Sequence, residues 1–222
     1  MVNRFPENER VFSQPPQIPK IVPGPRKYNK AHVRQTLIMS DSMCNGMSRW
    51  DLVKNLDEAE EDCVLKKFPG GKCEDLSWYA KHHLNKIRPY RFILVVGTND
   101  LPSPRGVTPT TEEEIAGAIL DIGRVARSYG VQEIYISSII DRRGSWFMRR
   151  ILKVNSILEA GCLQEGFRFL KNDDIFLDFH MNSGGLHLND FGTAVLKMKI
   201  LRCFTSFNPF FNDFVRIYDE AS

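Results

Sequence analysis

The chain has 222 residues, of which 42% are hydrophobic, enough for one domain of ordinary size with a core of its own. A formal net charge of +3 and an isoelectric point near 8.6 are too mild to mark the whole chain as a nucleic-acid binder, so any basic surface must be local. Cys44, Cys63, Cys73, Cys162 and Cys203 are odd in number and fit neither a disulfide framework nor a zinc spacing; they read as reduced thiols of an intracellular protein, cytoplasmic or nuclear. The opening MVNRFPENERVFSQ lacks the apolar stretch of a signal peptide, and no apolar run is long enough to span a bilayer, so neither secretion nor a transmembrane segment is expected.

Residues 1–34 are rich in proline and basic residues (SQPPQIPKIVPGPRKYNK) without periodicity, and read as an extended arm. Its Lys20, Arg26, Lys27 and Lys30 offer phosphate contacts to RNA. From Thr36 the pattern turns regular, and residues 35–206 form the expected domain. Strand-type runs TLIMS, CVLKKF, RFILVVG, EIYISSII and DIFLDF alternate with segments of helical character over 47–56, 74–87, 111–129, 145–165 and 190–204. Thr111 is placed to cap the third helix, the glutamates after it suit a helix N-terminus, and Gly130 suits its stop. Strands alternating with helices imply a mainly parallel five-stranded sheet covered on both faces, a three-layer α/β/α sandwich. Residues 207–222 form an aromatic tail whose Phe207, Phe210, Phe211 and Phe214 suit core or subunit packing, a homodimer included.

In such a sheet, function gathers beyond the carboxyl ends of the strands. The first strand ends in SDSM, which puts Ser42 there as a candidate nucleophile. The second leads into FPGGKCEDL, whose glycines allow a backbone N–H close to a ligand. The third ends in VVGTNDL and delivers Asn99; near the C-terminus, SGGLHLNDFGT sets His187 in a glycine-rich loop before the last helix. Each signal alone has a plainer explanation in turns and capping. Together they describe acyl transfer: a serine needs a base, which an imidazole supplies near neutral pH, and the tetrahedral intermediate needs donors. The Ser42 N–H, the Gly70 N–H and the Asn99 amide are the candidate donors, while Asp41 reads as support for the turn. No metal or organic cofactor is required. His82 and His83 point to different sides of one helix, and His180 reads as structural. The segment DRRGSWFMRR carries Arg142, Arg143, Arg149 and Arg150, candidate nucleic-acid contacts if they do not simply coat a helix face.

The order serine, glycine, asparagine, histidine on an α/β chain resembles the SGNH (GDSL-type) hydrolases over roughly residues 35–203. SDSM looks like the first block of that family, with Ser40 where glycine is usual; Gly70 matches the second block, GTND the third and His187 the last. FPGG, VGTNDL, VNSIL and GLHLNDFGT look most like the esterase-type domains of LINE-like retrotransposon proteins and genes derived from them. The resemblance implies a flavodoxin-like hydrolase fold and an esterase or deacetylase acting on a small ester or acetylated substrate. One position departs from the pattern. The family places an aspartate three residues before the histidine to orient it, and here that place is Gly184. A backbone carbonyl in NSGG, Asp178 or Asp190 could stand in, although Asp190 reads better as the cap of the final helix. Failing these, the pocket would serve a non-catalytic module that binds RNA or protein.

Overall fold

The computed structural model describes residues 33–56, 60–101 and 110–205. The basic arm and the aromatic tail of the sequence reading lie outside them, except that Arg34 already belongs to the first strand. Five strands, β1 (Arg34–Ser40), β2 (Glu61–Lys67), β3 (Arg91–Val95), β4 (Glu133–Ser137) and β5 (Arg168–Leu170), form one sheet in the order β2-β1-β3-β4-β5. Every pairing in it is parallel. The helices are α1 (Arg49–Val53), α2 (Cys73–Ile87), α3 (Glu112–Ser128), α4 (Ser145–Glu165), α5 (Leu177–His180) and α6 (Asp190–Leu201).

Side chains alternate across a strand, so a sheet covered on both faces needs apolar residues in both registers. Leu37, Met39, Phe92 and Leu94 pack with α2, α3 and α4, whereas Ile38, Ile93 and Val95 pack with α1 and α6. The three-layer sandwich follows. Local signals set the helix ends: Thr111 accepts the Glu114 N–H in a capping box at the start of α3, and Gly130, at φ +83°, follows its last turn.

Two expectations need correcting. The run DIFLDF is not a strand: β5 is the earlier Arg168–Leu170, and part of that run forms α5. A short apolar run has no period that separates a strand from a helical turn, and here the partner strand chose the earlier segment. The cap of α6 is Asn189, whose side chain accepts the Gly192 N–H, so Asp190 is the first helical residue and not the cap.

The amino end of the sheet carries a buried ion cluster. Arg91, 1% exposed, bonds Glu61 at 2.9 Å and Glu133 at 2.7 Å, joining the starts of β3, β2 and β4. The carboxyl end is left to loops. Cys44, Cys63, Cys73, Cys162 and Cys203 are buried free thiols. Among the described residues, no helix is long and apolar enough to cross a membrane.

Candidate active site

Strand β1 runs straight into a 3-10 turn over Ser42–Cys44. Asp41 closes this turn by accepting the Met43 N–H at 2.9 Å, and its own N–H donates to the Val95 carbonyl of β3. Ser42 is 6% exposed. Burial pushes the Asp41 carboxyl up to about 6, against the hydrogen bonds it accepts from backbone N–H groups.

After β2, Phe68 donates its N–H to the Ser40 carbonyl, and the Gly71 N–H returns to the Phe68 carbonyl at 2.9 Å. Pro69 followed by Gly70 at φ +77° is the pairing that a type II turn requires, since only glycine takes that conformation without strain. The Gly71 N–H is thus occupied, and the Gly70 N–H has no backbone partner among the described residues. Asn99 sits in a 3-10 turn after β3, and its amide donates to the Gly71 carbonyl at 3.0 Å, its second N–H having no partner among the described residues. Asp100 accepts the Cys73 N–H and lies 3.2 Å from its thiol, so the GTND turn and the start of α2 are tied together. Burial raises the Asp100 carboxyl above its ordinary range, although Cys73 donates to it.

His187 is presented by a hairpin. Met181 and Leu188 form an antiparallel bridge, the Asn182 N–H donates to the His187 carbonyl at 2.8 Å, and Gly185 turns the chain at φ +63°. Two contacts place this hairpin at the edge that holds Ser42 and Asn99. Arg143 donates through its N–H to the Gly185 carbonyl and through its guanidinium to the Ser183 carbonyl, both at 2.8 Å. Its neighbour Arg142 donates to the Thr98 carbonyl at 3.1 Å and lies over the Phe147 ring. On the other side, the Ser42 turn packs on the first turn of α6: a Cβ on Gly46 would stand 2.9 Å from Thr193 Oγ1. Asn189 fixes the base of the hairpin by donating to the Phe179 and Met181 carbonyls.

Among the described residues no hydrogen bond joins Ser42 to His187, and His187 Nδ1 is buried without a hydrogen-bond partner. Neither Asp178 nor Asp190 supplies one. Gly184, where the resemblance asks for aspartate, is exposed, and a Cβ there would meet only Asn182 Oδ1, at 3.4 Å. His180 is committed elsewhere: its Nδ1 accepts the Phe176 N–H at 2.8 Å, and its ring stacks on Phe191.

The sequence reading missed Asp100, Arg142, Arg143 and Asn189 as supports of this edge. Arg142 and Arg143 lie in the loop that follows the fourth strand, and that strand end was the signal passed over. Three of the four arginines marked for nucleic acid are engaged within the chain, Arg150 through Glu112 and the Thr110 carbonyl; Arg149 is exposed.

No family model and no curated protein matches the chain. Solved structures do. A GDSL-like lipase from Bacteroides thetaiotaomicron is similar at a TM-score of 0.63 and 14% identity, covering 77% of this chain and 87% of that one. A lipase/acylhydrolase from Enterococcus faecalis is similar at 0.59 and 16%, covering 77% and 94%. An acetylxylan esterase from Geobacillus stearothermophilus, a catalytic mutant, is similar at 0.65 and 14%, covering 78% and 95%. The chain therefore has the α/β fold of the SGNH hydrolases.

Proposed function

We propose that this chain is an SGNH-type serine esterase or deacetylase that works through Ser42 and His187 without a third acid. What carries the reading is the gathering of Ser42, the Gly70 turn, Asn99 and the His187 hairpin at one sheet edge, on a fold shared with lipases and an acetylxylan esterase. The finer likeness, to esterase-type domains of LINE-like retrotransposons, rests on sequence motifs alone.

Ser42 Oγ attacks the ester carbonyl carbon while His187 Nε2 takes its proton. The oxyanion is received by the Ser42 N–H, the Gly70 N–H and the free Asn99 N–H. Collapse expels the alcohol, which takes the proton from His187; water repeats the sequence on the acyl-serine and releases the acid. For Nε2 to accept a proton, Nδ1 must carry one, and the buried Nδ1–H then has no acceptor among the described residues. Forming an imidazolium against an unsatisfied N–H raises the barrier, so slow turnover is expected.

The same unpartnered nitrogen favours a second reading, a catalytically degenerate module that binds RNA or protein. Hydrolysis of short-chain nitrophenyl esters, beside Ser42→Ala and His187→Ala and with a fluorophosphonate label, decides between them. Activity and labelling that both vanish with Ser42→Ala support the enzyme. A folded wild type that matches Ser42→Ala in both assays rejects it, and salt-dependent binding of single-stranded RNA then tests the module.

A further inference from the structure

Arg142, half-buried, stands between the Asn99 turn and the His187 hairpin with one edge of its guanidinium unused. Its Nη1 donates to the Thr98 carbonyl at 3.1 Å, one residue before Asn99, and its Cζ lies 4.0 Å from the centre of the Phe147 ring. The next residue, Arg143, reaches the hairpin through its backbone N–H, on the Gly185 carbonyl, and its guanidinium, on the Ser183 carbonyl. In the esterase reading, an ester whose carbonyl oxygen meets Asn99 and whose alcohol oxygen meets His187 lies beside these two residues. Arg142 Nε and Nη2 have no hydrogen-bond partner among the described residues, and neither is one of the buried orphaned atoms, so both reach solvent.

The charge on this guanidinium is uncompensated. A cation taken partly out of water is costly unless it is paired, and a ring beneath it recovers only part of that cost. Among the described residues no carboxylate forms an ion pair with Arg142: burial pulls its guanidinium below the ordinary range, and no neighbouring charge opposes the change. Arg91 is the contrast, because burial lowers it too but Glu61 and Glu133 hold it above its range. Asp100, beside Asn99 in the chain, is taken by the N–H and thiol of Cys73. Arg143 adds a second cation whose bonds go to carbonyls, and α4, which starts two residues later, has no acidic residue in its first turn.

We infer that Arg142 is a specificity residue, whose Nε–Nη2 edge binds a carboxylate or phosphate group carried by the ester or acetylated substrate. The Nε–H and the adjacent Nη2–H point the same way, and this edge is a fork that two oxygens of one acid fit. With Nη1 committed to Thr98, the fork is the part left open, and an anion seated in it supplies the missing negative charge. A neutral ester supplies no such charge. The placing of the ester rests on the esterase reading; the anion site does not.

The test is calorimetric titration of full-chain Ser42→Ala, whose missing Oγ prevents turnover, with para-acetoxybenzoate, para-acetoxyphenyl phosphate and the neutral para-acetoxybenzamide near neutral pH. At least one anion should bind ~10-fold or more tighter than the amide, the step expected for a hydrogen bond to a charged group. Tighter binding of the benzoate supports a carboxylate-bearing substrate, and tighter binding of the phosphate a phosphate-bearing one. Adding Arg142→Gln should bring the ratio of anion to amide affinity close to one. Arg142→Lys should lower it partway, since an ammonium keeps the charge and loses the fork. Folding of each variant is checked by thermal melting. A residue that only supports the Asn99 turn shifts all three ligands together, so an unchanged ratio in folded Arg142→Gln overturns the proposal. Equal affinity for anions and amide with Arg142 in place, or no binding of either anion, overturns it without recourse to a variant at 142. Hydrolysis of nitrophenyl esters and fluorophosphonate labelling of the wild type judge the esterase reading separately. Turnover without anion preference sinks this inference alone, and anion preference without turnover sinks the esterase reading alone.

Discussion

Replacing Gly184 by aspartate should speed ester hydrolysis. The position tolerates a side chain: it is exposed, its φ is not in the left-handed region, and a Cβ would touch only Asn182 Oδ1 at 3.4 Å. The gain comes from the buried, unpartnered Nδ1 of His187. A hydrogen bond to a charged group contributes about 1.5–3 kcal/mol, and ~1.36 kcal/mol of barrier is tenfold in rate, so kcat should rise about 10- to 150-fold. The ceiling is the ~10⁴-fold loss caused by an aspartate-to-asparagine change in a serine-protease triad. The assay is nitrophenyl acetate hydrolysis by wild type, Gly184→Asp, Gly184→Ala and the double variant with Ser42→Ala. Gly184→Ala should leave kcat unchanged, because it changes the backbone freedom and adds no acceptor. A folded Gly184→Asp whose kcat stays within about twofold of wild type would refute the claim that the missing acid limits His187.

Asn99→Ala should lower kcat by about 10²- to 10³-fold, as loss of one oxyanion donor does, with the ester assay above as the measurement. Arg91→Met should lower stability by about 3–5 kcal/mol in urea denaturation, because it leaves Glu61, whose side chain is fully buried, without its cation. Asp41→Asn should stabilise the fold near pH 8 and not near pH 4. With the Asp41 carboxyl raised to about 6 by burial, the native state holds a proton that the unfolded chain has lost between roughly pH 4 and 6, so wild-type stability falls as pH rises through that window. A shift of about two units is worth about 3 kcal/mol, read as the difference between the two proteins' melting curves at the two pH values.

How much of this was legible in the sequence varies with the kind of signal. Strand-type runs alternating with helical segments announced a sheet covered on both faces, and the Thr111 and Gly130 signals set the ends of α3 to within a residue. Where the evidence was a run too short to carry a period, the reading failed. DIFLDF is as apolar as a strand, yet β5 is the three-residue Arg168–Leu170, chosen by pairing with β4, a non-local fact. At the site, chemistry-bearing residues on strand ends could be named from spacing, since a parallel sheet brings those ends to one edge whatever the loops do. The groups that hold the loops could not. Asp100 reaches Cys73 across 27 positions and Arg142 reaches Thr98 across 44, and no local pattern encodes such distances.

Those long-range supports bear on what losing the acid at 184 does. Ser42 is set by Asp41 and Val95, the Gly70 turn by Phe68 and Asn99, the Asn99 turn by Arg142 and, through Asp100, by the start of α2, and the His187 hairpin by Arg143 and Asn189. None of these bonds passes through Gly184. An acid there would be bound to the rest of the site only through His187, so its absence leaves the hairpin, the glycine turn and the Asn99 turn where they are and costs one hydrogen bond at Nδ1. A scaffold tied in this way can lose turnover and keep its shape. For the same reason a single substitution at 184 is expected to act on kcat with little effect on folding, whereas truncating Arg143, whose guanidinium holds the Ser183 carbonyl of the hairpin, would disturb both.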